Sequence, residues 1–149
     1  MLREWLRAQL VPMHLSSGRG ITSYCAVVVH LFLALSYQVP SLSISPTSTI
    51  LPPGGVSIIN YIDGRGPYWV VGFAAAGLAL FVALWTRRGL HFAHGIAAVV
   101  CCMYATASFL GAFLSEPNRP IIVGLFGVLA FSAHVGLSVT YSEQVVKDR

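Results

Sequence analysis

The sequence predicts an all-α protein, a four-helix transmembrane bundle. Three observations carry this: four long stretches without a charged residue, a charge content too low for a water-exposed surface, and an uneven distribution of Lys and Arg. Residues 21–39, 67–86, 90–114 and 120–141 contain no Asp, Glu, Lys or Arg. Each supplies the roughly 20 apolar residues that cover about 30 Å of hydrocarbon. Of the 149 residues, 56% are hydrophobic and only 9% charged, against about 25% charged in an ordinary soluble domain. The mean hydropathy is +0.73. In water such a chain would expose wide apolar patches; in lipid the same surface is at rest. The length suits a single domain.

The basic residues set the orientation, because short cytoplasmic links carry the excess of Lys and Arg. Arg3, Arg7, Arg19, Arg87, Arg88, Lys147 and Arg149 fall on one predicted side, and Arg65 and Arg119 on the other. Both termini and the link after the second span are therefore expected in the cytoplasm. The net charge of +4 serves topology. It forms no basic face, so no nucleic-acid partner is expected.

Each element follows from local signals. Residues 1–12 are read as an interfacial amphipathic helix: Leu2, Trp5, Leu6 and Leu10 share a face, Arg3, Glu4 and Arg7 lie off it, and Pro12 ends the pattern. The first span, 21–39, follows a long N-terminal segment and is read as retained rather than as a cleaved signal peptide. The external link, 40–66, is rich in Ser, Thr, Pro and Gly. Its Ile50, Val56, Ile58, Ile59 and Ile62 suit contact with the membrane or a cap over the bundle. Pro67 and Pro120 open the second and fourth spans, where a missing N–H costs nothing. The segment 142–149 is read as a cytoplasmic tail. Trp5, Tyr37, Tyr68, Trp69, Trp85 and Tyr141 are the expected membrane-interface anchors.

Helix packing in lipid depends on small residues that let backbones approach. The second span offers Gly72, Ala76, Ala79 and Ala83 as a seam, with Trp69, Phe73, Leu80 and Leu84 on another face. The third offers Gly95, Ala98, Cys102 and Ala105. The fourth offers Gly124, Gly127, Phe131, His134 and Ser138, and the first Ser23, Ala26, His30 and Ala34. One such seam per helix predicts a left-handed bundle.

His30, His94 and His134 lie on these seams, inside the spans. From a rise of about 1.5 Å per residue their depths from the cytoplasmic end are roughly 13, 6 and 10 Å respectively. Two readings stay open. Neutral imidazoles can bridge helices by hydrogen bonds and need no cofactor, which makes no cofactor the default expectation. Alternatively, intramembrane histidines can ligate haem b, hold a metal ion or relay protons. His91 adds an H-x-x-H spacing with His94. Cys25, Cys101 and Cys102 are read as small apolar packing residues, with a reactive Cys101–Cys102 pair as the alternative. No phosphate loop, paired carboxylates or nucleophile–base pair is visible. Glu4, Asp63, Glu116, Glu143 and Asp148 all sit at ends or in links. No enzyme activity and no catalytic residue are therefore expected.

Two motifs carry a resemblance: Pro67-Tyr68-Trp69-Val70-Val71-Gly72-Phe73 and Thr86-Arg87-Arg88-Gly89-Leu90-His91. With the four short spans and the 104–113 stretch, the chain from about Pro67 onward resembles small four-span, holin-like membrane proteins of actinobacteria-infecting phages. The resemblance implies a bacterial inner-membrane protein that permeabilises the membrane by homo-oligomerisation and has no catalytic residue. Met13 sits where a second start would give a shorter form, while the mixed-sign tail departs from the strongly basic tail of many holins. Beside this stand two alternatives. One is an accessory or immunity protein that binds another membrane protein; the other is a redox or proton-handling subunit using the histidines.

Overall fold

Helix follows from the chemistry of the chain, since in hydrocarbon every backbone N–H and C=O must be satisfied within the segment. A computed structural model describes residues 18–38, 58–63, 65–114 and 121–147. Five helices occur among them: α1 (Gly18–Gln38), α2 (Ile58–Asp63), α3 (Tyr68–Thr86), α4 (Leu90–Phe113) and α5 (Ile122–Lys147). Four are long and apolar enough to cross a membrane: α1, α3, α4 and the part of α5 over Ile122–Glu143. The predicted interfacial helix 1–12, with Trp5, Arg3 and Arg7, lies outside the described residues, as do residue 39 of the first span, 40–57 of the external link, Arg119 and Arg149.

Serine and threonine within the spans mostly bond back to their own helix. Thr22 donates to the Gly18 carbonyl, Thr106 to Cys102 and Thr140 to Gly136. This satisfies the hydroxyl without a partner helix. Ser138 is different: it donates across to the His91 carbonyl of α4 at 2.8 Å.

The α3–α4 connection is tight. Arg87 and Gly89 both have positive φ, 55° and 70°. Gly89 adopts this without penalty, and the left-handed pair folds α4 back along α3. α1 packs along α3, α3 along α4 and α4 most extensively along α5. Small residues make the closest approaches. A Cβ on Gly77 would meet the Leu31 side chain at 2.8 Å, and one on Gly127 would meet the Ala105 Cβ at 2.8 Å and its Cα at 3.0 Å. Of the seam residues, Ala76, Ala83, Ala98, Ala105, Gly124 and Gly127 are buried, Ala79 is half-buried, and Cys102 turns outward and is exposed. Gly72 faces Val100 of α4, and Gly95 lies near Ser138 of α5.

The α3 face departs from expectation. Trp69, Phe73 and Leu80, read as lying off the seam, are buried beside Ala76 and Ala83. Their 4–3–4–3 spacing makes one inward stripe of alternating large and small residues. Ala34 of α1 and Ala107 of α4 leave room that the Trp69 and Phe73 rings fill. Trp69 is consequently no interface anchor: it is 4% exposed and its indole N–H donates to the Ile59 carbonyl at 3.2 Å. Tyr68 and Trp85 do face outward, at 58% and 70% exposed.

Ile58, Ile59 and Ile62 of α2 pack on the Trp69–Phe73 cluster, so this piece of the external link caps the bundle. At the same end Arg65 donates to the Tyr61 hydroxyl and lies over its ring. α5 runs on to Lys147, past the predicted boundary at 141. No Gly or Pro lies between Tyr141 and Lys147 to stop it.

The molecule is inverted relative to a soluble protein. Phe32, Trp85, Phe92 and Phe126 are exposed, while Ser23, His30, His94 and His134 are buried. Such a surface is stable in lipid, and the chain is a multi-pass integral membrane protein.

Candidate functional site: a buried histidine cluster

Two helical turns separate Ser23 from His30 on α1, His94 from Cys101 on α4, and His134 from Tyr141 on α5. Residues seven apart lie on one helix face. α1 and α4 enter from the basic end and α5 leaves through it, so the pairs stack into two layers. Ser23, His94 and Tyr141 form the layer nearer the basic end. His30, Cys101 and His134 form the deeper one.

The upper layer is tied by hydrogen bonds whose direction can be worked out. The Ser23 hydroxyl donates to the Arg19 carbonyl at 2.9 Å. A hydroxyl has one proton, so Ser23 Oγ accepts from its other two neighbours. These are Tyr141 Oη at 3.1 Å and His94 Nε2 at 2.9 Å. His94 is therefore protonated on Nε2. Its Nδ1 lies 2.9 Å from Nδ1 of His134. That contact needs one protonated and one bare nitrogen, which makes His134 Nδ1 the donor and leaves His134 Nε2 with a free lone pair. The Tyr141 ring stacks on His94, with centroids 5.6 Å apart.

In the deeper layer, His30 Nδ1 donates to the Ala26 carbonyl at 2.8 Å. Its Nε2 is left bare and lies 3.8 Å from Cys101 Sγ. The His30 and His134 rings meet edge to face, with centroids 5.0 Å apart. A ring nitrogen of each and the Cys101 sulfur lie within 4.8 Å of one another, and all three residues are buried. α3 supplies only an apolar wall, Phe73, whose ring is 5.9 Å from that of His30.

The far half of the core is aromatic. Tyr37 donates to the Tyr104 hydroxyl at 2.9 Å. Tyr104 packs edge-on against Trp69 and Phe73, with centroids 5.2 and 5.5 Å apart. With α2 above them, these rings close the core on the side away from the basic end.

All three predicted site histidines thus meet in one cluster. His91 does not join it. Its ring packs on Phe92, and its Nδ1 is the one buried side-chain N or O atom among the described residues without a hydrogen-bond partner. Cys101 and Cys102 form no reactive pair, since one faces the core and the other is exposed. Three contributors were missed as site residues. Cys101 was read as packing, Ser23 as a seam residue, and Tyr141 as an interface anchor, whereas it is half-buried against Ser23 and His94. The seven-residue spacing on three helices is the signal that could have found them.

No family model, curated protein or solved structure matches this chain. The reading of the site therefore rests on its own chemistry. It offers two imidazole lone pairs and a thiol in a buried cluster, and one ordered hydrogen-bond chain leading toward the basic end.

Proposed function

We propose that this chain is a multi-pass protein of a bacterial inner membrane whose histidine cluster takes up a small cation, a proton or a metal ion, from the cytoplasmic side. One observation carries the reading: histidines from three helices touch in the core and the other half of that core is packed with aromatic rings. A transmembrane conductor needs ionisable groups along its whole length; here the histidines occupy only the half facing the basic end, while in the other half Ser36 bonds to its own helix and the Tyr37 and Tyr104 hydroxyls bond to each other. The site suits uptake and storage of a cation, not passage across the bilayer.

Haem fits this core poorly. Its two axial imidazoles face each other across a flat macrocycle. Here His94 and His134 bond nitrogen to nitrogen, and His30 packs directly on His134. No slot for a macrocycle lies between these rings.

The test is nitrogen NMR of histidine-labelled protein in nanodiscs while pH and metal concentration are varied. His30, His94 and His134 signals that respond to a cation support the reading. Imidazoles silent to protons and to every metal tried would sink it.

Holin-like permeabilisation by homo-oligomers is the second reading, favoured by a lipid-facing groove of about 410 Å³ between α4 and α5. Gly95, Ala98, Cys102 and Val135 line it, and it suits a helix of a second copy or of another membrane protein. Inducible expression with a membrane-potential dye separates the two: sudden collapse at a set time supports the holin, and an intact potential removes it.

A further inference from the structure

We propose that His30, Cys101 and His134 form a three-coordinate site for a soft monovalent metal ion of the copper(I) class. The inference rests on the cation-uptake reading above and names its ligand.

The donor set is the first argument. Imidazole and thiolate together select soft and borderline ions. Both imidazoles are held as metal-binding histidines usually are, with the second ring nitrogen donating to a fixed acceptor. For His30 that acceptor is the Ala26 carbonyl, and for His134 it is His94 Nδ1. The hydrogen bonds of the upper layer thereby fix the tautomer of His134 and leave its Nε2 unprotonated, which makes His94 a positioning residue rather than a ligand.

Geometry is the second. With metal–nitrogen and metal–sulfur bonds of about 2.0 and 2.3 Å, a trigonal site has nitrogen–sulfur edges of about 3.7 Å. The His30 Nε2–Cys101 Sγ separation is 3.8 Å. One ring nitrogen of each histidine and the Cys101 sulfur lie within 4.8 Å of one another, so a trigonal site closes by shifts and ring rotations of about 1 Å.

Charge decides the class of ion. Binding replaces the Cys101 S–H bond with a sulfur–metal bond and sends the proton to bulk water. A monovalent ion entering as a proton leaves keeps the site neutral, with two neutral imidazoles, one thiolate and one M⁺. A divalent ion at the same donors leaves a net charge of +1 in a core with no carboxylate. All five Asp and Glu residues fall outside the charge-free stretches of the sequence, and no carboxylate is among the described residues in contact with His30, Cys101 or His134. An uncompensated charge in hydrocarbon is costly.

The experiment uses the full chain in nanodiscs, without oxygen, in a Cys25→Ala/Cys102→Ala background that removes the two exposed thiols. Copper(I) is titrated against a chromogenic chelator, zinc(II) is titrated in parallel, and an indicator dye follows released protons. One copper per chain with one proton released is expected. Cys101→Ala should abolish the sulfur-to-copper ultraviolet band and the proton release. His30→Ala and His134→Ala should each weaken binding by 100-fold or more, and His94→Gln by about 10- to 100-fold. Cys101→Ser guards against misfolding, since it keeps the shape of the site and must still lose the band. Binding unchanged by Cys101→Ala, or zinc held more tightly than copper, would overturn the proposal. Absence of copper binding with imidazole signals that still follow pH would overturn the metal site and leave cation uptake standing. Imidazoles silent to all cations would end both.

Discussion

The two halves of this core obey the same packing rules and do different things. Toward the basic end, Ser23, His94, His134, His30 and Cys101 place polar atoms where lipid would tolerate none. Away from it, Trp69, Phe73, Tyr37 and Tyr104 fill the same kind of space with rings. The aromatic half is nearly saturated: the Trp69 N–H has the Ile59 carbonyl and the Tyr37 hydroxyl has Tyr104. The histidine half is not, because its hydrogen bonds leave two imidazole lone pairs unused beside a thiol. One half therefore seals and the other binds. The difference comes from side-chain type at equivalent inward positions, since the helices continue through both.

If this division is sound, substitutions should sort by half. The largest stability loss is expected from Phe73→Ala. It removes a ring 2% exposed that touches His30, Tyr37, Trp69 and Tyr104. About 3–4 kcal/mol should be lost, read by unfolding in mixed micelles. Copper affinity should fall much less than in His134→Ala; an equal fall would erase the distinction between seal and site.

Gly127→Val comes next. Its Cβ would collide with the Ala105 backbone, so α4 and α5 must separate, at about 1–3 kcal/mol. Gly136 is the control, because a Cβ there meets nothing within 4 Å. Gly136→Ala should be neutral or stabilise the helix by about 0.5–1 kcal/mol.

His94→Ala should cost about 1–2 kcal/mol, since it strands the donor of His134 and one acceptor site on Ser23. Its signature is a histidine NMR spectrum in which His134 changes tautomer or loses its single environment. An unaltered His134 signal would break the hydrogen-bond chain derived above.

Tyr37→Phe should cost only about 0.6 kcal/mol, the usual worth of a hydrogen bond between helices in a membrane. It should leave the histidine signals where they were. The smallest effect is expected at His91. His91→Phe removes a buried nitrogen without a partner, so stability should hold or rise by up to about 1 kcal/mol. A loss there would mean that His91 bonds something in the membrane.

Much of the fold was legible from residues read one at a time. The four spans followed from charge-free stretches, and the link after the second span from Arg87, Arg88 and Gly89. Of the alanine and glycine seam residues, Ala76, Ala83, Ala98, Ala105, Gly124 and Gly127 are buried, and Gly72, Ala79 and Gly95 are half-buried. The α3 face was misread because hydrophobicity in lipid does not distinguish inward from outward. Trp69 suits an interface or a core equally well, and only the hollow beside Ala34 and Ala107 chose the core. Ile58, Ile59 and Ile62 had marked the external link as able to cap the bundle, and α2 does so.

The site was half legible. The three histidines were visible as anomalies in apolar helices, and their seams pointed inward. Their depths, estimated from each helix alone, put His94 nearer the basic end than His30 and His134, the order in which the two layers hold them. Cys101 carried no signal by itself, being one of three cysteines in apolar runs. What the sequence determined alone was the number of spans and which links carry the basic residues, since apolar length and charge are properties of each segment in isolation. Which face each helix turns inward, and hence that His30, Cys101 and His134 converge, was decided only in the tertiary structure. Helix rotation in lipid is set by the shapes of the neighbours, and shape exists only once the helices meet.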